Sequence, residues 1–273
     1  MNIKKALFII IIFCYAANTF GQGNLIQALD SGMARFKRND FKGAIVSFTA
    51  AIKIDTTFPD LYYYRGLSEA RFQDFNKAIP DFNKAISIDP NHTVEYYNAR
   101  GNAKSGLQDF AGALLDYNRA FEIDPKFKKA YYNRGFAKAI LKDYKGAIAD
   151  FDQAIKLNPK DAEAFNNRGE SKQYLKDLDG AVADFNMAIK LNPNYADPYF
   201  NKGTLKVEQK DLKGAVKDFS KAIDIDPKHA KAYYARGLAK MSLDQKSSGC
   251  TDLHKSADLG YAKAKEDSKT MCK

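Results

Sequence analysis

The sequence has 273 residues, with 43 Lys and Arg against 33 Asp and Glu, which gives a formal net charge of +10. A basic balance of this kind is often found in proteins that bind nucleic acid. Here the lysines are spread evenly along the chain, which favours solvated helix faces, and we expect no nucleic-acid partner.

Residues 1–21 have the pattern of a secretory signal peptide. Two early lysines precede the apolar run Ala6 to Ala17, which is too short for a good anchor because a membrane span needs about 20 residues. Thr19-Phe20-Gly21 offers small residues at both ends, so we expect cleavage before Gln22. Cys14 offers a site for lipidation, so a lipoprotein is one alternative, although the residue before it is not small as a lipidation motif requires. An uncleaved membrane anchor is the other alternative. Cleavage removes two lysines, which leaves 41 basic against 33 acidic residues and a net charge of +8.

From about residue 25 to 260 the chain repeats with a period of 34 residues, once 35. A glycine marks each repeat, at Gly32, Gly66, Gly101, Gly135, Gly169, Gly203 and Gly237. A small residue follows twelve positions later, at Ala44, Ala78, Ala113, Ala147, Ala181, Ala215 and Gly249. Four positions further stands a large apolar residue, at Phe48, Phe82, Tyr117, Phe151, Phe185, Phe219 and Leu253. Such a period is typical of stacked arrays, and the spacing predicts two closely packed antiparallel helices in each repeat.

Start and stop signals bound the second helix of each pair. Aspartates stand where an N-cap is expected, at Asp40, Asp74, Asp109, Asp143, Asp177 and Asp211. Prolines close most repeats, at Pro90, Pro125, Pro159, Pro193 and Pro227. Pro80 is an exception, because it falls inside a second helix and predicts a local kink there.

These residues resemble the tetratricopeptide repeat (TPR) family over roughly nine tenths of the mature chain. The family pattern also has an aromatic residue four positions before the glycine, as at Tyr62, Tyr97, Tyr131, Phe165, Tyr199 and Tyr233. The resemblance implies an all-α, right-handed α-solenoid of seven helix-turn-helix units with a C-terminal capping helix. We place the solenoid at 22–260, the repeats at about 25–58, 59–93, 94–127, 128–161, 162–195, 196–229 and 230–260, and the capping helix at 261–273.

The two cysteines outside the signal segment lie at the C-terminal end. Cys250 begins the last second helix, and Cys272 ends the capping helix that would fold back beside it. Both lie about three helical turns from the connection at Gly260, so their side chains could meet. An oxidising compartment favours a disulfide over free thiols, and no Cys-x-x-Cys motif supports a redox-active site.

Two charged columns change together along the repeats. A cation precedes the glycine where the family usually has leucine, at Arg65, Arg100, Arg134, Arg168, Lys202 and Arg236. An acid follows sixteen residues later, at Asp81, Asp116, Asp150, Asp184, Asp218 and Asp252. In the first repeat both columns become serine, at Ser31 and Ser47. This joint exception predicts structural ion pairs within each helix pair, since arginine suits a partly buried carboxylate, although an anion-binding stripe is the alternative.

In the resembling family the first helices line a concave groove that holds a peptide or a partner helix. The implied groove positions are Tyr63, Asn98, Asn102, Tyr132, Asn133, Phe136, Asn166, Asn167, Glu170, Phe200, Asn201 and Tyr234. One subfamily grips a C-terminal carboxylate with two asparagines and three cations. Asn102 and Asn133 match two of those positions, but Asn98, Glu163 and Asn167 stand where cations are needed.

We find no catalytic constellation in the sequence. His92 and His229 fall in turns between repeats and His254 lies on the degenerate last helix, and none has a ligand-spaced neighbour. We therefore expect no enzyme activity, no metal site and no cofactor. The function that we predict is a protein-interaction scaffold, binding a peptide or partner protein in the periplasm or cell envelope of a bacterium. The alternative is an accessory subunit that presents envelope glycan or lipid to an enzyme.

Overall fold

The computed structural model describes residues 19–90, 94–127 and 130–273, with side chains from residue 23 onward. Most of the predicted signal peptide lies outside the described residues, and Thr19 to Gly21 form the start of the first helix. Cleavage before Gln22 stays a prediction. Within the described residues the chain forms fifteen α-helices and no β-strand, which confirms the all-α repeat solenoid.

The chain divides into two compact units, Met1–Phe127 and Lys128–Lys273, which we call the N-terminal and C-terminal units. The N-terminal unit contains α1 (Thr19–Lys37), α2 (Phe41–Ile54), α3 (Pro59–Ala70), α4 (Phe75–Ile88), α5 (Val94–Gly106) and α6 (Phe110–Ile123). The C-terminal unit contains α7 (Tyr131–Ile140), α8 (Tyr144–Leu157), α9 (Ala162–Tyr174), α10 (Leu178–Leu191), α11 (Ala196–Glu208), α12 (Leu212–Ile225), α13 (Ala230–Met241), α14 (Lys246–Asp258) and α15 (Ala262–Met271).

Within each unit consecutive helices pack as pairs, and the first helices of successive repeats also touch one another. In the C-terminal unit the first helices are α7, α9, α11 and α13, and α15 packs on α14 after the last pair. We call the surface that the first helices share the first-helix face of that unit.

Most second helices begin as the aspartate column predicts. In α8 the Asp143 side chain accepts a hydrogen bond from the Gly146 N–H at 3.0 Å, and the same cap forms at four other aspartates, Asp40, Asp109, Asp177 and Asp211. Asp74 is the exception: it makes no side-chain cap and instead contacts Lys77 at 2.5 Å. Its helix, α4, continues through Pro80 and has 14 residues, which is the same length as α8.

A close approach of the two helices explains the glycine column. A Cβ at Gly203 would lie 2.6 Å from Cε1 of Phe219, whose ring is completely buried. Such a distance is well inside van der Waals contact, so any larger residue at this position would force the pair apart. The glycine and the large apolar residue that follows it are therefore one packing contact, repeated along the chain.

A non-glycine residue adopts the left-handed conformation in the turn inside each pair. The seven positions are Asn39, Gln73, Gln108, Lys142, Lys176, Lys210 and Asp244, with φ between 58° and 66°. At Lys210 this geometry lets the Asp211 N–H donate to the Lys206 carbonyl at 2.8 Å, which ends the first helix as a Schellman motif. The motif usually has glycine here, because a left-handed φ imposes steric strain on other residues.

We therefore expect Lys210→Gly to raise the free energy of unfolding by about 0.5 kcal/mol, since relief of the strain outweighs the added entropy of the unfolded chain. Lys217→Gly is the matched control, because Lys217 is exposed in the body of α12, where glycine costs about 1 kcal/mol. Urea denaturation of the two variants measures both effects. Equal destabilisation by the two would show that the turn carries no strain.

No helix in the described part of the chain combines the length and the apolar character needed to cross a lipid bilayer.

Candidate functional site: the first-helix face

The first helices are tied to the second helices by a ladder of ion pairs. In five repeats an arginine donates from Nε and Nη2 to both oxygens of its aspartate at 2.5 to 2.9 Å. The pairs are Arg65–Asp81, Arg100–Asp116, Arg134–Asp150, Arg168–Asp184 and Arg236–Asp252. In the sixth, Lys202 lies 4.0 Å from Asp218. In the first repeat the two serines face each other, with Ser31 Oγ 3.3 Å from Ser47 Oγ.

A second cation, one turn further along the first helix, completes most of these contacts. The lysine Nζ lies 2.7 to 2.8 Å from the same aspartate at Lys104, Lys138, Lys172, Lys206 and Lys240. Each of these aspartates is at most 7 % exposed. Two cations and one buried carboxylate therefore form a charged cluster inside each of these helix pairs.

A further contact of the arginines, which is not among the contacts predicted from the sequence, links neighbouring repeats. The third guanidinium nitrogen, Nη1, donates to a residue of the preceding second helix in four cases, to Thr49, Asn83, Asp152 and Ser220. The signal was present, because a hydrogen-bond acceptor stands two positions after most ladder aspartates. Since all three nitrogens of Arg65, Arg100, Arg168 and Arg236 bond to protein acceptors, these residues do not form an anion-binding stripe.

The lysine column is interrupted once, in the second repeat, where Glu69 takes the place of the cation. Its Oε2 is buried and accepts no hydrogen bond from the described residues. Burial, and then the charge of Asp81, raise the pKa of Glu69 from 4.5 to about 7. The folded protein therefore binds the Glu69 proton more tightly than the unfolded chain does.

This shift predicts a pH-dependent stability. The contribution of Glu69 is most favourable below pH 4.5, where the carboxyl is protonated in both states, and it is lost as the pH rises through about 7. We expect Glu69→Gln to melt higher than the wild type at pH 8 and to lose this part of the pH dependence. Thermal melts from pH 5 to 8 test it, with Glu95→Gln, an exposed residue of the same unit, as control. A wild-type profile that Glu69→Gln leaves unchanged would contradict the assignment.

On the N-terminal unit, three predicted groove residues lie around one cavity of about 300 Å³. Tyr63, Asn98 and Asn102 line it together with apolar side chains that include Phe36 and Leu67. The Oδ1 atom of Asn98 is buried and accepts no hydrogen bond from the described residues, whereas Asn102 accepts one from the Tyr117 hydroxyl at 2.9 Å. Tyr63 also packs on Tyr96, with ring centroids 4.9 Å apart, so it contributes to helix packing as well as to the cavity.

On the C-terminal unit, the predicted groove residues form a connected polar network. The Tyr132 hydroxyl donates to Glu163 at 3.1 Å and accepts from the Asn167 amide at 2.9 Å. Burial, and then the Glu163 carboxylate, raise the pKa of Tyr132, so its hydroxyl stays protonated and can donate. The network thus holds Tyr132 and Asn167 in fixed orientations on the first-helix face.

The other half of this network is centred on Glu170. Its Oε1 accepts hydrogen bonds from the Asn166 amide at 2.9 Å and from the Asn201 amide at 2.6 Å. The Asn201 amide also donates to Asn166 Oδ1 at 3.0 Å. Asn166 is only 1 % exposed, so its prediction as a contact residue is wrong: it supports Glu170 and Asn201 from below.

Two adjoining cavities open on this face. One, of about 250 Å³, is lined by residues that include Phe136, Ile140, Tyr144, Asn167, Glu170 and Tyr174. The other, of about 390 Å³, is lined by residues that include Glu170, Tyr174, Phe200, Asn201, Thr204 and Glu208. Both therefore share Glu170 and Tyr174, and they bring together five of the predicted groove residues. Asn133 is half-buried on α7.

The last predicted groove residue, Tyr234, is not available to a partner. It is 9 % exposed, and its hydroxyl donates to Asp267 of α15 at 2.6 Å. Tyr261 packs against its ring with centroids 5.0 Å apart. The helix that follows the last repeat thus covers the position that the resemblance assigned to the groove.

Comparison with known proteins agrees with this geometry. Models described as "Tetratricopeptide repeat" match residues 59–92, 94–127, 129–161 and 162–195, and one described as "TPR repeat" matches residues 203–244. Together these segments cover more than half of the chain. The protein belongs to the tetratricopeptide repeat family. This is a family of protein-interaction repeats. No curated protein matches the sequence.

Solved structures of other TPR proteins share the fold at low sequence identity. A tetratricopeptide repeat protein from Parabacteroides merdae has 22% identity and a TM-score of 0.71, with 92% of this chain and 100% of that chain covered. YrrB, described as a TPR protein with an unusual peptide-binding site, has 24% identity and a TM-score of 0.59, with 69% and 97% covered. A TPR protein fragment from Cytophaga hutchinsonii has 18% identity and a TM-score of 0.62, with 86% and 97% covered.

The C-terminal end of the TPR array is closed by a disulfide. Cys250 and Cys272 are bonded, with Cα atoms 5.5 Å apart, and join α14 to the residue that ends α15. Ala264 of α15 is completely buried against Leu253. The end of the array is therefore held both by packing and by a covalent link.

The structure describes two of the three histidines of the TPR array, and one of them has a structural role. His229 caps α13, since its Nδ1 accepts from the Ala232 N–H at 3.2 Å, and its ring lies 5.0 Å from that of Phe200. His92 lies outside the described residues, and His254 is exposed on α14. In the described part of the chain no three His, Cys, Asp or Glu side chains come together as a metal site would require.

Proposed function

We propose that this protein is an exported scaffold of the bacterial cell envelope, which binds an extended peptide segment of a partner protein on the first-helix face of its C-terminal unit. The observation that carries the proposal is the pair of adjoining cavities that share Glu170 and Tyr174. Aromatic walls cover apolar side chains, while oriented amides pair with peptide groups. Asn167 and Asn201 lie at the edges of the cavities. Asn167 has one amide N–H beyond the one that it donates to Tyr132, and Asn201, whose two N–H groups bond to Glu170 and Asn166, offers its oxygen to a peptide N–H.

Two observations support export as part of the proposal. The first 21 residues have the charge and length of a signal peptide. The Cys250–Cys272 disulfide belongs to an oxidising compartment, because thiols in the cytosol are kept reduced. For the ligand, the structural likeness to YrrB, a TPR protein with a peptide-binding site, adds support for a peptide.

Site-specific photo-crosslinking in producing cells tests the binding face. We would place the photoreactive residue at Tyr174, whose side chain is 66 % exposed between the cavities, and as a control at Lys217, which is exposed on the second helix α12. We expect a discrete protein adduct from Tyr174 and none from Lys217, with the crosslink on an extended segment of the partner. Equal labelling from both positions, or adducts with envelope glycan or lipid alone, would contradict a peptide-binding face.

Fractionation and N-terminal sequencing test the location separately. We expect the protein outside the cytoplasm with Gln22 as its first residue. A cytoplasmic protein that keeps residues 1–21 would contradict export, but it would not bear on the proposed binding face.

A further inference from the structure

Glu170 is a carboxylate with one occupied and one unoccupied oxygen. Its Oε1 accepts two amide hydrogen bonds, from Asn166 and Asn201. Its Oε2 accepts none from the described residues, and no lysine or arginine there lies within ion-pair distance of the carboxylate. Lys231 acts on Glu170 only as a more distant charge. The two amides fix the orientation of the carboxylate but do not neutralise it.

The charge of Glu170 is costly where it stands. Burial raises the pKa of Glu170, and the hydrogen bonds from Asn201 and Asn166 offset only part of that effect. A buried or half-buried charge is stabilised most by an opposite charge that excludes the remaining water. Because Glu170 lines both cavities, that opposite charge can come from a bound molecule.

The cavity walls suit the stem of a long cationic side chain. Tyr174 stacks on Tyr144 with parallel rings 4.5 Å apart, which holds an exposed aromatic surface beside Glu170. Phe200 lines the larger cavity on another side. Aromatic faces accommodate a chain of methylene groups and attract an ammonium group.

Charges around the cavities favour the larger one as the binding route. The larger cavity also contains Lys176 and Glu208, which lie 3.6 Å apart and compensate each other, so Glu170 is left as its unbalanced charge. The smaller cavity contains Lys142 in addition to Glu170 and is close to neutral.

We propose that the peptide bound on this face presents a lysine side chain, whose ammonium enters the larger cavity and pairs with Oε2 of Glu170. Lysine fits better than arginine, because the planar guanidinium fork needs both carboxylate oxygens and Oε1 is already occupied. This inference rests on the proposed peptide-binding function and adds the chemistry of the ligand.

A nonapeptide library with a central lysine, and matched sets with arginine, glutamine or acetyl-lysine at that position, test the inference on the purified protein by fluorescence anisotropy. We expect roughly tenfold weaker binding when lysine is acetylated, since acetylation removes the charge and keeps the stem. Glu170→Gln should weaken lysine peptides by a similar factor and leave acetyl-lysine peptides unchanged. Its amide oxygen can still accept from Asn166 and Asn201. Glu266→Gln, at an exposed position of α15, is the charge-matched control.

The possible outcomes distinguish the lysine site from the proposed peptide-binding function on which it rests. If acetylation of the lysine and the Glu170→Gln substitution both leave the peptide affinity unchanged, the lysine site is wrong, whereas the proposed peptide binding is still supported. A preference for arginine over lysine would overturn the single-oxygen geometry. The absence of binding by any peptide set would overturn both. The acetylation comparison uses the unmutated protein, so it decides the question even if Glu170→Gln fails to fold.

Discussion

Asp150→Ala should lower the melting temperature by about 10 °C, whereas Asp152→Ala, on the same helix, should lower it by no more than a few degrees. Asp150 is 3 % exposed and accepts from Arg134 at 2.6 and 2.8 Å and from Lys138 at 2.8 Å. Its removal leaves two half-buried cations without a counter-charge, which costs about 3–5 kcal/mol. For a chain of this size each kcal/mol corresponds to about 2–4 °C.

Asp152 is the matched control because it is an acid two residues further along the same helix, with a single, solvent-exposed contact to a ladder arginine. Its side chain is 50 % exposed, and one oxygen lies 2.6 Å from Nη1 of Arg168. Exposed pairs of this kind contribute about 1 kcal/mol or less. Thermal melts followed by circular dichroism, with Asp150→Asn as an intermediate that keeps the acceptor but not the charge, measure the series. Equal effects from Asp150→Ala and Asp152→Ala would remove the argument that the ladder is structural.

The ladder partners were predictable from sequence because the same pair of residue types recurs at the same spacing in one repeat after another. A cation and an acid sixteen residues apart would mean little in one repeat, but Ser31 and Ser47 change together in the first, and the structure places them 3.3 Å apart. The sequence alone does not decide whether the lysine that completes each cluster joins the ladder or is solvated. Glu69 shows why: the same column holds an unpaired acid in one repeat, and only the structure shows that this position is buried.

The contacts between repeats were harder to predict than those within them. Nη1 of Arg100 donates to Asn83 at 2.7 Å across the boundary of two repeats. Such a contact joins one residue in each of two neighbouring repeats. The helix period places residues within one helix, but it does not set how one repeat is positioned against the next. The acceptors also vary between threonine, asparagine, aspartate and serine, so no single residue type marks this position in the repeats.

The family resemblance predicted which helix faces the groove but not how deep each side chain lies. Asn166 and Asn167 are adjacent on α9, yet Asn166 is buried under Glu170 while Asn167 lines a cavity. A rotation of one residue along a helix is enough to make this difference, and the resemblance does not fix it. Tyr234 was assigned to the groove for the same reason, although the sequence also predicted the helix that covers it.

The second large effect is expected at the C-terminal end of the chain, where the Cys250–Cys272 disulfide holds α15. The cysteines are 22 residues apart, and a bond that closes a loop of this length contributes about 3 kcal/mol. Repeat arrays gain stability mainly from contacts between neighbours, so the loss should be local rather than spread over the chain. Without the bond, α15 keeps two buried residues, Ala264 and Ser268, and two contacts with Tyr234, the Lys263 ammonium over the ring and the hydrogen bond of the hydroxyl to Asp267. These are few contacts for a ten-residue helix.

Replacement of both cysteines by serine should therefore raise amide exchange in α15 by roughly hundredfold and leave the middle repeats unchanged. Reductant added to the wild type should reproduce this result and should have no effect on the serine variant, which separates loss of the bond from the substitutions themselves. Because α15 covers Tyr234, its opening should also expose that ring, and tyrosine quenching by acrylamide should increase. Unchanged protection of α15 in the serine variant would mean that packing alone holds the end of the array and that the disulfide is dispensable for its stability.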